Sequence, residues 1–214
     1  MTTTETGRSA RKRKAIVDAA RTLFLRTGYA GTSMDEISEL AGVSKQTVYA
    51  HFTDKQRLFT EIVSGDIGPI QEPRAQMLAE SMPYTDNLEQ DLCEFARSHL
   101  AQVMQPHLLR MRRVLIGEGE RFPDLARTWY ENGPERSYAM FAGWFEALDR
   151  RGLLVAPDPL LAAKHFNWLV LSVPVNKAMA YPIDEASITD DELAYYADAA
   201  VRVFLAAYGA AGRR

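Results

Sequence analysis

Apolar residues recur along this chain at intervals of three and four, and no stretch alternates convincingly at intervals of two. Ile16, Ala20, Leu23 and Phe24 share one helical face, which predicts a helix from about Ala10 to Thr27, with Gly28 at the position that commonly ends helices. Ser33 and Glu36 form a capping-box pattern in front of Met34, Ile37 and Ala41, so a short second helix follows. Gly42 closes it, and Ser44 caps a third helix whose inward residues are Val48 and Phe52. Two short helices joined by a glycine-containing turn make a helix-turn-helix. A fourth helix starts near Lys55 and carries Leu58, Phe59 and Ile62.

Gly65, Gly68, Pro69 and Pro73 then interrupt the pattern, and residues 65–73 are read as the domain junction, a helical connector. Further helices are expected from an Asp86 cap through Leu100, over Leu108 to Ile116, and from Pro123 to Leu148 with a kink at Gly133-Pro134. The last two run from Asp158 through Val173 and from Thr189 to Tyr208. The fold class is all-α with about nine helices. Residues 1–9 are Thr-rich without periodicity and read as a disordered arm, 10–64 as the helix-turn-helix domain and 65–214 as a larger helical domain.

Charge changes the picture in one respect. The net charge of −3 argues against a nonspecific polyanion binder, but it is unevenly spread. Through Thr60 there are ten Lys/Arg against six Asp/Glu, or +4, leaving 15 against 22, or −7, for the rest. A basic first quarter on an acidic body points to a polyanionic partner for that quarter alone. Cys93 is the single cysteine, so no intrachain disulfide forms and a reducing compartment is expected. A polar N-terminus without a secretory apolar segment, and the lack of a run near the ~18 apolar residues that span a bilayer, imply a soluble cytoplasmic protein without membrane contact.

The third helix has a polar side its core does not explain. Lys45, Gln46 and Thr47 occupy its first turn, where a recognition helix presents side chains to base edges in a major groove. Gln pairs with adenine, Lys donates to guanine, and the Thr methyl touches a thymine methyl. Tyr49 and His51 lie farther along, placed to donate to phosphates, as do Lys55 and the free amides beginning the fourth helix. Ser33 and Ser44 are candidates for capping and phosphate contact together.

The stretch FLRTGYAGTSMDEISELAGVSKQTVYAHFTDKQRLFTEI, within residues 14–62, resembles the N-terminal domain of the TetR/AcrR family of transcriptional regulators. Gly28-Tyr29, Thr32-Ser33, Ile37, Ala41-Gly42-Val43, Tyr49, His51-Phe52, Lys55 and Leu58 fall in its register. The stretch VLIGEGERFPDLARTWYENGPER is similar to AefR-like C-terminal domains of that family. The resemblance implies a homodimer on a palindromic double-stranded DNA operator, its half-sites ~34 Å or a multiple apart. It also implies a C-terminal domain that binds a small-molecule effector, and a dimer interface built from the last two helices. Carried over by position, Ser33, Met34, Ser44, Lys45, Gln46, Thr47, Tyr49, Ala50, His51 and Lys55 are the DNA-facing set, with Ala50 departing from the aromatic residue often found there.

Effector candidates combine polar groups set in apolar helices, Cys93, His99, His165 and Asn167, with Met111, Trp129, Phe141, Trp144 and Trp168. Ala162, Ala163, Ala199, Ala200, Ala206 and Ala207 are small residues suited either to close approach of a second copy or to intrachain packing. No HExxH, CxxC, phosphate loop or nucleophile elbow occurs, so no metal, cofactor or enzymatic activity is expected. The expected function is an effector-released repressor. The alternative is a helical small-molecule-binding or interaction protein without sequence-specific DNA binding.

Overall fold

A computed structural model describes residues 3–66, 73–182 and 188–210. Among them the chain is helical, with no strand and one isolated bridge between Leu154 and Gly209. The helices are α1 (Thr3–Thr27), α2 (Met34–Leu40), α3 (Lys45–His51), α4 (Lys55–Asp66), α5 (Pro73–Ser81) and α6 (Leu88–Val103). They continue as α7 (Pro106–Glu118), α8 (Pro123–Tyr130), α9 (Arg136–Arg150), α10 (Pro159–Ala180) and α11 (Asp190–Tyr208). A π-helical turn over Glu131–Glu135, containing Pro134, joins α8 to α9, so the expected kink is a widened turn inside a continuous helix.

Most boundaries follow local chemistry. Ser33 and Thr189 each close a capping box, with Glu36 and Glu192, and Ser44 and Asp158 cap α3 and α10. Gly28, Gly42 and Gly152 adopt φ of 77°, 65° and 71° at helix ends, a region that favours glycine. Three expectations change. Helix α1 begins at Thr3, so the segment read as an arm is helical from there: elongating a formed helix is far cheaper than nucleating one. Asn87, not Asp86, precedes α6 and makes no side-chain cap bond; Asp86 instead pairs with Arg151 at 3.2 Å. Helix α5 was not foreseen. Most of the expected junction at 65–73 lies outside the described residues.

The chain divides into two compact units, Met1–Ile67 with Arg110–Asn132, and Gly68–Leu109 with Gly133–Arg214. The division falls inside α7. In the first unit α1, α2, α3 and α4 gather Phe24, Tyr29, Ile37, Val48, Phe52, Leu58 and Phe59 into one core, and the later segment adds Met111, Leu115 and Leu125 to it. In the second, α6, α9, α10 and α11 enclose Phe95, Phe141, Phe145, Phe166 and Phe204. Burying an aromatic or large aliphatic side chain stabilises by about 1.5–3 kcal/mol, so these rows hold each unit together.

Candidate nucleic-acid interface and effector core

The third helix is pinned by Val48 and Phe52, which are 0% and 2% exposed and face the first unit's core. That anchoring fixes which side remains open. Lys45, Gln46, Tyr49 and Ala50 are exposed, and Thr47 and His51 half-exposed. Tyr49 is 51% exposed, far from what packing alone would ask of a tyrosine. Ser44 Oγ accepts from the Thr47 amide and pairs with the Thr47 hydroxyl at 2.9 Å, so the first turn is held before any partner arrives. Lys45 Nζ donates to Asp35 of α2 at 2.5 Å, across the turn. It must leave that exposed pair to reach a base edge, at a cost of a few tenths to about 1 kcal/mol.

Two members of the expected DNA-facing set lie elsewhere. Met34 is 8% exposed and belongs to the core, because its helix buries that face against α1 and α3. Lys55 Nζ donates to the carbonyls of Tyr29 and Thr32, both at 2.7 Å, and lies 4.5 Å from the centre of the Tyr29 ring. Its ammonium therefore clamps the turn between α1 and α2, and burial lowers its pKa. Tyr29 is tilted edge-on to Phe59 and Phe122, and burial raises its phenol, aided by Asp54 and Glu118. Glu118 accepts from the Ala30 amide in the same turn at 3.2 Å. Lys55 is thus turned away from the phosphate expected for it, and neither its clamp nor the Glu118 contact is visible in the sequence, since both close only in three dimensions. Ser33 accepts from Glu36 and returns its own amide to that side chain, which leaves its hydroxyl engaged in the cap.

The nine effector candidates also separate. Met111 and Trp129 pack in the first unit's core, so they line nothing in the second. Trp168 is 44% exposed on the outer side of α10, and His165 Nδ1 pairs with the Tyr208 hydroxyl at 2.6 Å near the ends of α10 and α11. Cys93 is half-buried and its thiol is pushed up by burial, which makes it a poor nucleophile. His99, Phe141, Trp144 and Asn167 do come together. The His99 ring stacks on Phe95 at 5.8 Å, meets Phe141 edge-on at 5.5 Å, and pairs through Nε2 with Asn167 Oδ1 at 3.1 Å. Trp144 stands perpendicular to Phe95 at 4.8 Å. Burial lowers the histidine pKa, opposed by the asparagine bond, so the imidazole is neutral at pH 7. Among the described residues neither side chain of the pair makes a further hydrogen bond.

A short turn-linked helix pair with its polar side open, in a chain that also forms a separate all-helical unit, defines a helix-turn-helix protein with a companion domain. Comparison with known proteins makes this particular: residues 16–62 match the model of bacterial regulatory proteins of the tetR family, and 90–210 match the C-terminal domain of AefR-like transcriptional repressors. The chain belongs to the TetR family.

A TetR-family transcriptional regulator from Mesorhizobium loti MAFF303099 has a similar structure, 42% identical with a TM-score of 0.84, covering 94% of this chain and 98% of that one. The flavonoid-responsive regulator FrrA is 30% identical with a TM-score of 0.72 over 94% of this chain and 98% of its own. The regulator YhgD of Bacillus subtilis strain 168 is 32% identical over 91 residues, 41% of this chain and 48% of that protein. The chain spans about half the length of the first curated relatives it matches, 48% and 46%. No described helix is long and apolar enough to cross a membrane.

Proposed function

We propose that this protein is a homodimeric, effector-responsive transcriptional repressor that binds a palindromic double-stranded operator through α3. The observation that carries the reading is the open side of that helix: Gln46, Thr47 and Tyr49 have no packing role, while Val48 and Phe52 hold the helix rigidly behind them. Gln46 and Thr47 face bases, with Lys45 once it leaves Asp35, and Tyr49 and His51 face phosphates. The exposed apolar side chains Leu161, Trp168 and Val173 on α10, and Tyr195 and Val203 on α11, supply a second copy with a surface to cover. Of the small residues, Ala162, Ala163 and Ala200 are spent on intrachain packing, whereas Ala206 and Ala207 are exposed.

The effector reading rests on the second unit. An aromatic box with a neutral histidine and an asparagine holding spare hydrogen-bonding capacity suits a flat apolar molecule carrying a hydroxyl or carbonyl. FrrA, similar along its whole length, is described as flavonoid-responsive, and we extend that chemical class to this chain. An effector that fits better when the DNA-binding units are wrongly spaced weakens operator binding by the difference in its two affinities.

An electrophoretic shift with the DNA flanking the protein's own gene, repeated across salt concentrations, tests the first part. A sequence-selective shift is expected; none at any salt would leave a helical binding protein without operator recognition. Gln46→Ala should relax preference at particular bases, and Tyr49→Phe should weaken all sequences alike. Release of the shifted DNA by a hydroxylated flavone, lost in Asn167→Leu, tests the second part.

A further inference from the structure

Residues before Ile16 lie outside the matched family model, yet α1 continues through them to Thr3. Lys12 precedes Ile16 by four positions and Arg8 precedes Lys12 by four, so one stripe of α1 turns from core-facing to cationic as it passes beyond the domain. Arg8, Ser9 and Lys12 form one wall of an open cleft of about 410 Å³ whose opposite wall is Gln46, Thr47, Ala50 and His51 of α3. Among the described residues no acidic side chain lines it. Ala50 leaves its side short where a larger residue would fill it.

Several other cations of this unit are occupied. Arg13 pairs with Glu61, Lys14 with Asp18 at 2.6 Å, Lys45 with Asp35 and Lys55 with two carbonyls. Arg8 and Lys12 have no ionic partner among the described residues. Two cations on the rim of the base-facing turn, without an ionic partner among the described residues, are placed for a polyanion that already touches that turn.

We infer that the N-terminal extension of α1 is a second DNA contact, in which Arg8 and Lys12 grip backbone phosphates of the strand lying across the cleft while Gln46 and Thr47 meet the bases. This rests on the operator-binding reading of α3. The contact is sequence-independent, since guanidinium and ammonium groups on phosphate position a protein without reading bases.

The test is the salt dependence of binding by the full-length Arg8→Ala/Lys12→Ala protein to its operator and to a random duplex. Losing two phosphate contacts should lower the slope of log K against log salt by about two and weaken both duplexes by a similar factor, roughly thirtyfold at 0.15 M salt. Both side chains are exposed, so the thermal midpoint and helicity should match the wild type. An unchanged salt slope overturns the inference, whatever happens to the affinity. Failure of the wild type to select any duplex would instead overturn the reading of α3, and the two failures are separable because the first requires a wild-type shift.

Discussion

Each unit is built around an aromatic cluster with a basic side chain against it, and the two are finished differently. Around Tyr29, Phe24, Phe59 and Phe122, the Lys55 ammonium is committed to two carbonyls. Around Phe95, Phe141 and Trp144, the His99–Asn167 pair satisfies one bond and keeps capacity in reserve. A closed cluster makes a stiff support, which a helix presenting side chains to a groove requires. A cluster with unspent polar groups is a place where something else can complete the network, because a buried polar group left without a partner is costly.

That contrast can be challenged by substitution. Phe59→Ala and Phe141→Ala should each cost about 3–5 kcal/mol of unfolding free energy, but in conditions where both remain folded only the first should lower DNA affinity. Denaturation curves paired with shift assays at low temperature decide this, and equal loss of binding would dissolve the distinction. Lys55→Met removes the partner of two turn carbonyls and should destabilise by about 1–3 kcal/mol, with a salt slope on DNA that is unchanged. A slope lower by one would return Lys55 to the phosphate contacts.

The smallest effect is a pH dependence. His99 titrates below the ordinary histidine value of 6.5 in the folded protein, so the unfolded chain takes up a proton first as pH falls. Stability is complete above that value and declines as pH drops through the window between it and the depressed folded pKa. The thermal midpoint of His99→Gln should fall less than that of the wild type between pH 7 and 5.5, a range set by the ordinary histidine value of about 6.5. Identical curves would show that the imidazole is not the partly buried, neutral base described.

What the sequence revealed follows from the range of the interactions involved. Capping boxes at Ser33 and Thr189, the Asp158 cap and the glycines at 28, 42 and 152 act within four residues, and the helices they bound are where spacing placed them. Periodicity also found the inward face of α3. It could not say against what a face packs: Met111 and Trp129 have helical spacing suited to either unit, and position after the junction favoured the wrong one. Helix α5 escaped because PRAQMLAES has only Met77 and Leu78 as large apolar residues, too few for a period. Lys55 and Glu118 were illegible because their partners are carbonyl and amide groups, which every residue has.

The break between units within α7 has a practical consequence for recombining this protein with its relatives. A fragment ending near residue 66 would leave the hydrophobic surface that Met111, Leu115 and Leu125 cover open to water. Grafting this DNA-reading head onto another sensor therefore requires two crossovers rather than one, with residues 110–132 travelling alongside the N-terminal helices.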